Sequence, residues 1–115
     1  MATILVIEND KTILRAFETL LKKQNYDVIT ATDGKQAIEI LQKTKPNLII
    51  TELFLPYLTG EEIITFARNK WQKIPIIVVS FKNNLEKRLN VVILKKPIDF
   101  TILLRHIQFY TKKVL

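Results

Sequence analysis

Residues 48–60 read LIITELFLPYLTG. A strand with one solvated face would alternate apolar and polar residues with period two, so the solid run Leu48-Ile49-Ile50 predicts a strand buried on both faces. The run ends in a carboxylate. Glu52 is followed by further apolar residues, Pro56 and Gly60, which puts an acid where a buried strand gives way to a surface loop. An acid in that position, and a glutamate at that, calls for an explanation.

Runs of the same kind recur on either side. Thr3–Ile7 is apolar and β-branched and stops at Glu8-Asn9-Asp10; Tyr26–Ala31, Asn47–Thr51, Ile76–Ser80 and Val91–Leu94 complete a set of five strands. Helical patterns lie between them. From Lys11 to Gln24, capped by Asp10, apolar residues fall at Ile13, Leu14, Phe17, Leu20 and Leu21. Thr32-Asp33-Gly34 breaks the chain before a second helix through Ala37, Ile38 and Leu41, which runs to Lys45 ahead of Pro46. Glu61 to Lys70 forms a third, burying Ile63, Ile64 and Ala67. A last helix, capped by Asp99, sets Phe100, Leu103, Leu104, Ile107, Tyr110 and Val114 on its core side. Only Phe81 to Asn90 separates the fourth and fifth strands. The pattern predicts an α/β fold: a doubly wound five-stranded parallel sheet covered on both faces, with right-handed crossovers, forming one domain over residues 1–115.

Bulk properties agree. A chain of 115 residues, 48% hydrophobic and 25% charged, suits one domain with a real core. Cysteine is absent and His106 is the single histidine, which excludes disulfides, thiolate metal sites and zinc sites built from several imidazoles. No apolar run approaches the roughly 20 residues of a membrane span, and no basic head precedes the first strand, so the expected location is cytoplasmic. Eighteen basic residues against eleven acidic ones give a net charge of +7. The lysines are dispersed, with clusters at Lys22-Lys23, Lys95-Lys96 and Lys112-Lys113, and are expected to offset helix dipoles and line solvated faces. Direct nucleic-acid binding is the alternative, but no helix-turn-helix and no aromatic-basic interleaving supports it.

In a doubly wound sheet, function gathers at the carboxyl ends of the strands. Strand one ends at Glu8-Asn9-Asp10, strand three at Glu52, strand four at Ser80 and strand five at Lys95-Lys96-Pro97, so these groups share one rim. Glu8, Asn9 and Glu52 offer hard oxygen donors for a divalent cation. A serine hydroxyl and a lysine suit a phosphoryl group.

The stretches ILVIEND, PNLIITELFLPYLTG, PIIVVS and LKKPID, in that order, resemble the receiver domains of bacterial two-component response regulators over essentially the whole chain. The resemblance implies a flavodoxin-like (βα)5 receiver fold and a role in phosphorelay signalling, not an enzyme. It implies that Glu8 and Asn9 stand where two acids help hold Mg²⁺, with Asp10 completing the acidic pocket. Glu52 stands at the aspartate that a histidine kinase phosphorylates. Ser80 and Lys96 match the hydroxyl and lysine that stabilise the phosphorylated state, and Pro56 and Gly60 match the turn after the acceptor.

The departures are concentrated in that machinery. Glu52 is one methylene longer than aspartate, whereas catalytic geometry commonly tolerates roughly 0.5 Å. Asn9 removes a charge from the metal position, so Mg²⁺ binding is weak or lost. Phe81 puts bulk where receivers usually carry a small residue. Ile93 replaces the aromatic switch residue, and the segment from Ser80 to Lys96 is roughly six residues shorter than receivers usually have, which leaves the fourth helix short or irregular. Glu52 is expected to pair with Lys96 instead, giving an atypical, phosphorylation-independent receiver; a conventional Mg²⁺-dependent phosphoacceptor is the alternative.

If phosphorylation is lost, the output is a surface. Ile102 and Phe109, seven residues apart on the last helix and opposite its core stripe, are flanked by Arg105, His106 and Lys113. They define an expected interface for a kinase, an effector, a second receiver or a second copy, on the face made by the fourth helical segment, the fifth strand and the last helix. Phe109 as a core residue is the opposing reading. A metal-dependent phosphohydrolase lacks a general acid–base residue near the acids, and a flavodoxin-like nucleotide binder lacks a phosphate loop after strand one. The chain stops after the last helix, so a stand-alone regulator and an excised receiver are both open.

Overall fold

The computed structural model describes residues 1–81 and 90–112. Its elements run β1 (Thr3–Ile7), α1 (Lys11–Lys23), β2 (Asp27–Ala31), α2 (Gly34–Lys43), β3 (Leu48–Thr51), α3 (Gly60–Lys70), β4 (Ile76–Ser80), β5 (Val92–Lys95) and α4 (Phe100–Thr111). The expected fourth helical segment falls on residues 82–89, outside the described residues, as do Lys113 and Val114.

The strands form one sheet in the order β2-β1-β3-β4-β5, with every neighbouring pair parallel. Both faces are covered. Ile4, Val6, Leu48, Ile50, Ile77 and Val79 point to one core with Leu14, Phe17 and Leu21 of α1 and Leu103 and Ile107 of α4. Leu5, Ile7, Ile49 and Val78 point to the other, with Ala37 and Leu41 of α2 and Ile63, Ile64 and Ala67 of α3. Odd and even strand positions are therefore both apolar, which is why the strand runs are continuous in sequence.

Several boundaries differ from expectation for local reasons. Helix α2 stops at Lys43 rather than Lys45, with Thr44 already extended at φ −136°; Lys45, directly before Pro46, is itself disfavoured from the helical region. Strand β3 begins at Leu48; just before it, Asn47 donates its N–H to the Thr3 carbonyl at 2.8 Å and accepts the Thr3 N–H on its side-chain Oδ1 at 2.7 Å. Helix α1 ends one residue early, and Asn25 follows in the left-handed region at φ 66°, which asparagine tolerates better than most. The buried stripe of α4 is narrower than expected. Leu103 and Ile107 are buried, but Phe100 and Tyr110 are 37% and 39% exposed because they sit at the helix ends, beyond that stripe. Phe109 is 63% exposed and is not a core residue.

The helix starts show how the carboxyl rim is set. Asp10, Asp33 and Asp99 cap α1, α2 and α4 by accepting from backbone N–H groups. Thr59 and Glu62 form a reciprocal capping box at α3. Since all strands are parallel, these capped starts lie at the same end of the sheet as the strands' carboxyl ends, and the switch of chain direction falls between β1 and β3.

Candidate functional site

Glu8, Glu52 and Lys96 are each the first residue past a strand. Their N–H groups continue the ladder, donating to Ala31, Ile7 and Ser80 carbonyls at 3.0, 3.0 and 2.9 Å. The backbone thus fixes three Cα positions on one rim before any side chain is considered. All three residues are more than nine-tenths buried.

The side chains then close on one another. The Lys96 ammonium donates to Glu8 Oε1 at 2.5 Å and to Glu52 Oε1 at 2.7 Å. The second oxygens are also used. Glu8 Oε2 accepts the Asp10 N–H at 3.1 Å. Glu52 Oε2 accepts the N–H groups of Leu53 at 2.5 Å and Phe54 at 3.3 Å. Every carboxylate oxygen of the pair therefore has a donor within the protein. The extra methylene of Glu52 lets its carboxylate fold back over the two peptide groups that follow it.

Burial disfavours the charged form of Glu52, but hydrogen bonds from Lys96 and the Leu53 amide, with the Lys96 charge, outweigh it and hold the carboxyl below its ordinary pKa. Burial likewise pulls Lys96 down, and the hydrogen bonds and charges of Glu52 and Glu8 more than reverse it, so the ammonium titrates above the ordinary lysine value. Ser80 stands near enough to favour the charge on Glu52. Its Oγ is nonetheless buried without a partner in hydrogen-bonding geometry.

The remaining expected residues divide between the site and its surroundings. Asn9 and Asp10 are exposed. The Asp10 carboxylate does not join the acidic pocket; it accepts from Thr12 and Ile13 at 2.9 and 3.1 Å as the α1 cap. The Phe81 ring centroid lies 5.6 Å from Lys96 Nζ. Ile93 is half-buried on β5 and packs against the α2–α3 core. Ile102, Arg105 and Phe109 are all exposed on α4.

The supports for Glu52 were not among the expected site residues. Leu53 and Phe54 contribute only backbone N–H groups, which no side-chain reading reveals. Gly60 sits directly behind them: its N–H donates to the Leu53 carbonyl at 2.8 Å, and a Cβ there would collide with the Glu52 carbonyl and come within 2.8 Å of Leu53 Cα. The Thr59-x-x-Glu62 capping signature was readable and fixes where α3 begins.

A hard divalent cation takes several oxygen ligands that are free to turn toward it. Here Asn9 supplies a neutral amide, and both carboxylates already hold an ammonium. Among the described residues no cluster of three or more Asp, Glu, His or Cys side chains could hold a metal. The donor set fits Lys96 rather than Mg²⁺.

A sheet in the order β2-β1-β3-β4-β5, with carboxylates and a lysine converging at its switch point, defines a flavodoxin-like doubly wound domain. The response regulator receiver domain family matches residues 4–108, and the chain belongs to it. It is a receiver domain of two-component signalling, a class of signalling rather than classical enzyme domains. Protein PilG of Pseudomonas aeruginosa is 39% identical over 84 residues, 71% of this chain and 62% of that protein. The alkaline phosphatase synthesis transcriptional regulatory protein PhoP of Bacillus subtilis is 34% identical over 80 residues, 70% of this chain but 33% of PhoP. The chain thus spans less than two thirds of either relative. Among solved structures, the chemotaxis response regulator CheY4 of Vibrio cholerae superposes with a TM-score of 0.86 at 26% identity, covering 96% of this chain and 98% of that one. No helix among the described residues is long and apolar enough to cross a membrane.

Proposed function

We propose that this receiver signals without aspartyl phosphorylation, its resting conformation held by the Lys96 ammonium between Glu8 and Glu52, and that its output is a protein-binding surface. One observation carries this reading: all four carboxylate oxygens of Glu8 and Glu52 are satisfied by donors of the protein itself. A carboxylate so engaged is poorly available as a nucleophile, and its lowered pKa further reduces its basicity. The cluster has no free ligand set for Mg²⁺. Glu52 is then a structural anion in the place of a reactive one.

The output surface is the outer face of α4, with Ile102 and Phe109 exposed and Arg105 beside them; Lys113, expected at its margin, lies outside the described residues. Tyr110 extends the apolar area, its ring edge-on to Phe109 at 5.1 Å. Apolar rings bordered by cations suit a partner with a matching apolar patch and acidic rim, whether a kinase, an effector or a second copy of this chain.

The unpartnered Ser80 hydroxyl favours a second reading, a conventional phosphoacceptor, because a buried hydroxyl beside Glu52 is placed to donate to a phosphoryl oxygen. That reading requires Lys96 to release a carboxylate. Intact-mass measurement after incubation with acetyl phosphate, with and without Mg²⁺, separates the two. No adduct on folded protein is the expected result. A Mg²⁺-dependent phosphoryl adduct mapped to Glu52 would overturn the phosphorylation-independent reading.

A further inference from the structure

Beside the ion cluster, on the α1 side, lies a cavity of about 330 Å³ walled by Ile13, Phe17, Phe81, Ile98 and Phe100. Phe17 and Phe100 meet edge to face at 5.8 Å, leaving an aromatic wall, and Ala16 and Phe81 at its border are exposed. Among the residues lining it, Lys96 is the one that carries a charge. Small-molecule sites combine apolar walls with a few placed polar groups, and this cavity meets that description.

We propose that this cavity binds a small neutral aromatic molecule of about two rings that carries one hydrogen-bond acceptor, with Lys96 as its polar contact. Size, polarity and charge each constrain the ligand. A dry apolar cavity of about 150 Å³ accommodates benzene, so about twice that volume takes a bicyclic molecule. Aromatic walls favour a ring that can add a further edge-to-face contact. An ammonium has three N–H donors. Glu8 and Glu52 accept two of them; Nζ lies 5.6 Å from the Phe81 ring centroid, and Lys96 lines the cavity, so a ligand oxygen there would compete with that ring for the third. Two carboxylates against one ammonium leave the cluster with a net charge of −1, so an anionic ligand meets repulsion and a neutral carbonyl does not.

The proposal is independent of whether Glu52 can be phosphorylated, which the acetyl phosphate measurement decides separately. Its test is an NMR titration of the full chain with 1-indanone, a neutral bicyclic ketone, and with indane, the same skeleton without the oxygen. Saturable shifts confined to the amides of Ile13, Ala16, Ile98 and Phe100 are expected. Indane should bind at least about tenfold more weakly, as a hydrogen bond to a charged donor is lost. Ala16→Phe, at an exposed helical position, should fill the cavity and abolish the shifts with the melting temperature unchanged. Absence of saturable shifts, their persistence in Ala16→Phe, or equal binding of indane would each overturn the assignment. Binding of N-acetylphenylalaninamide with 1-indanone silent would overturn it in favour of a protein side chain.

Discussion

The carboxyl rim and the outer face of α4 solve opposite problems. At the rim, two acids and a lysine are buried, and each carboxylate oxygen has a donor in the protein. On α4, Ile102 and Phe109 are apolar and face solvent. The first region has charged groups where apolar ones are the rule, and the second has apolar groups where charged ones are the rule. Satisfied bonds make the rim a structural unit. The α4 face leaves its apolar side chains exposed, and in the proposed function a partner would cover them. Stability should therefore respond to changes at the rim and association to changes on α4.

The strongest test removes the shared cation. Lys96→Met leaves two carboxylates buried without a counter-charge, and breaking a buried pair in this way costs about 3–5 kcal/mol. Urea denaturation at neutral pH should show that loss. It should shrink in acid, where one carboxylate can take up a proton; a loss that did not depend on pH would mean the ion cluster is not the cause. Next in size is Gly60→Ala. Its methyl would drive into the Glu52 carbonyl, and overpacking of this kind costs about 1–3 kcal/mol. Because Gly60 holds the Leu53–Glu52 backbone, the Leu53 and Phe54 amide resonances should shift as well.

The pH profile comes third. Glu52 has a folded pKa below its ordinary value of 4.5, so its contribution to stability is fully present above about that pH and is lost as pH falls through the folded pKa. Lys96 has a folded pKa above its ordinary 10.5, so its contribution is fully present below that value and is lost as pH rises through the folded pKa. Denaturation midpoints should be level between those limits and drop at both ends, and Glu52→Gln should flatten the acid limb. The smallest stability effect belongs to Phe109→Glu, within about 0.5 kcal/mol for an exposed position. Its effect should instead appear as lost self-association or partner binding in sedimentation or pull-down measurements. Unchanged association combined with lost stability would sink the interface reading.

Much of this contrast was legible in the sequence, and the illegible part has a physical cause. The five strands could be read because both faces of the sheet are covered, which turns alternation into solid apolar runs such as Leu48-Ile49-Ile50. That Glu8, Glu52 and Lys96 share a rim followed from parallel strands alone. The pairing of Glu52 with Lys96 was expected, whereas the equal hold of the same ammonium on Glu8 was not, since residue types do not say which way a carboxylate turns. Asp10 was assigned two tasks, pocket and cap, and its geometry serves the cap. The backbone donors at Leu53 and Phe54 carry no side-chain signature. Phe100 and Tyr110 were placed in the core by periodicity, which counts position around a helix but not distance from its ends.

The ammonium of Lys96 reaches partners 44 and 88 residues away in the chain, one past β3 and one past β1. Such contacts form only after the central strands have assembled in order, because closing long loops costs entropy before any reward arrives. The cluster is therefore expected to form after the folding transition state, and the folding and unfolding rates of Lys96→Met test this. Its loss should leave the folding rate almost unchanged and speed unfolding instead. In kinetic terms, Lys96 would then act as a latch on the lifetime of the assembled sheet.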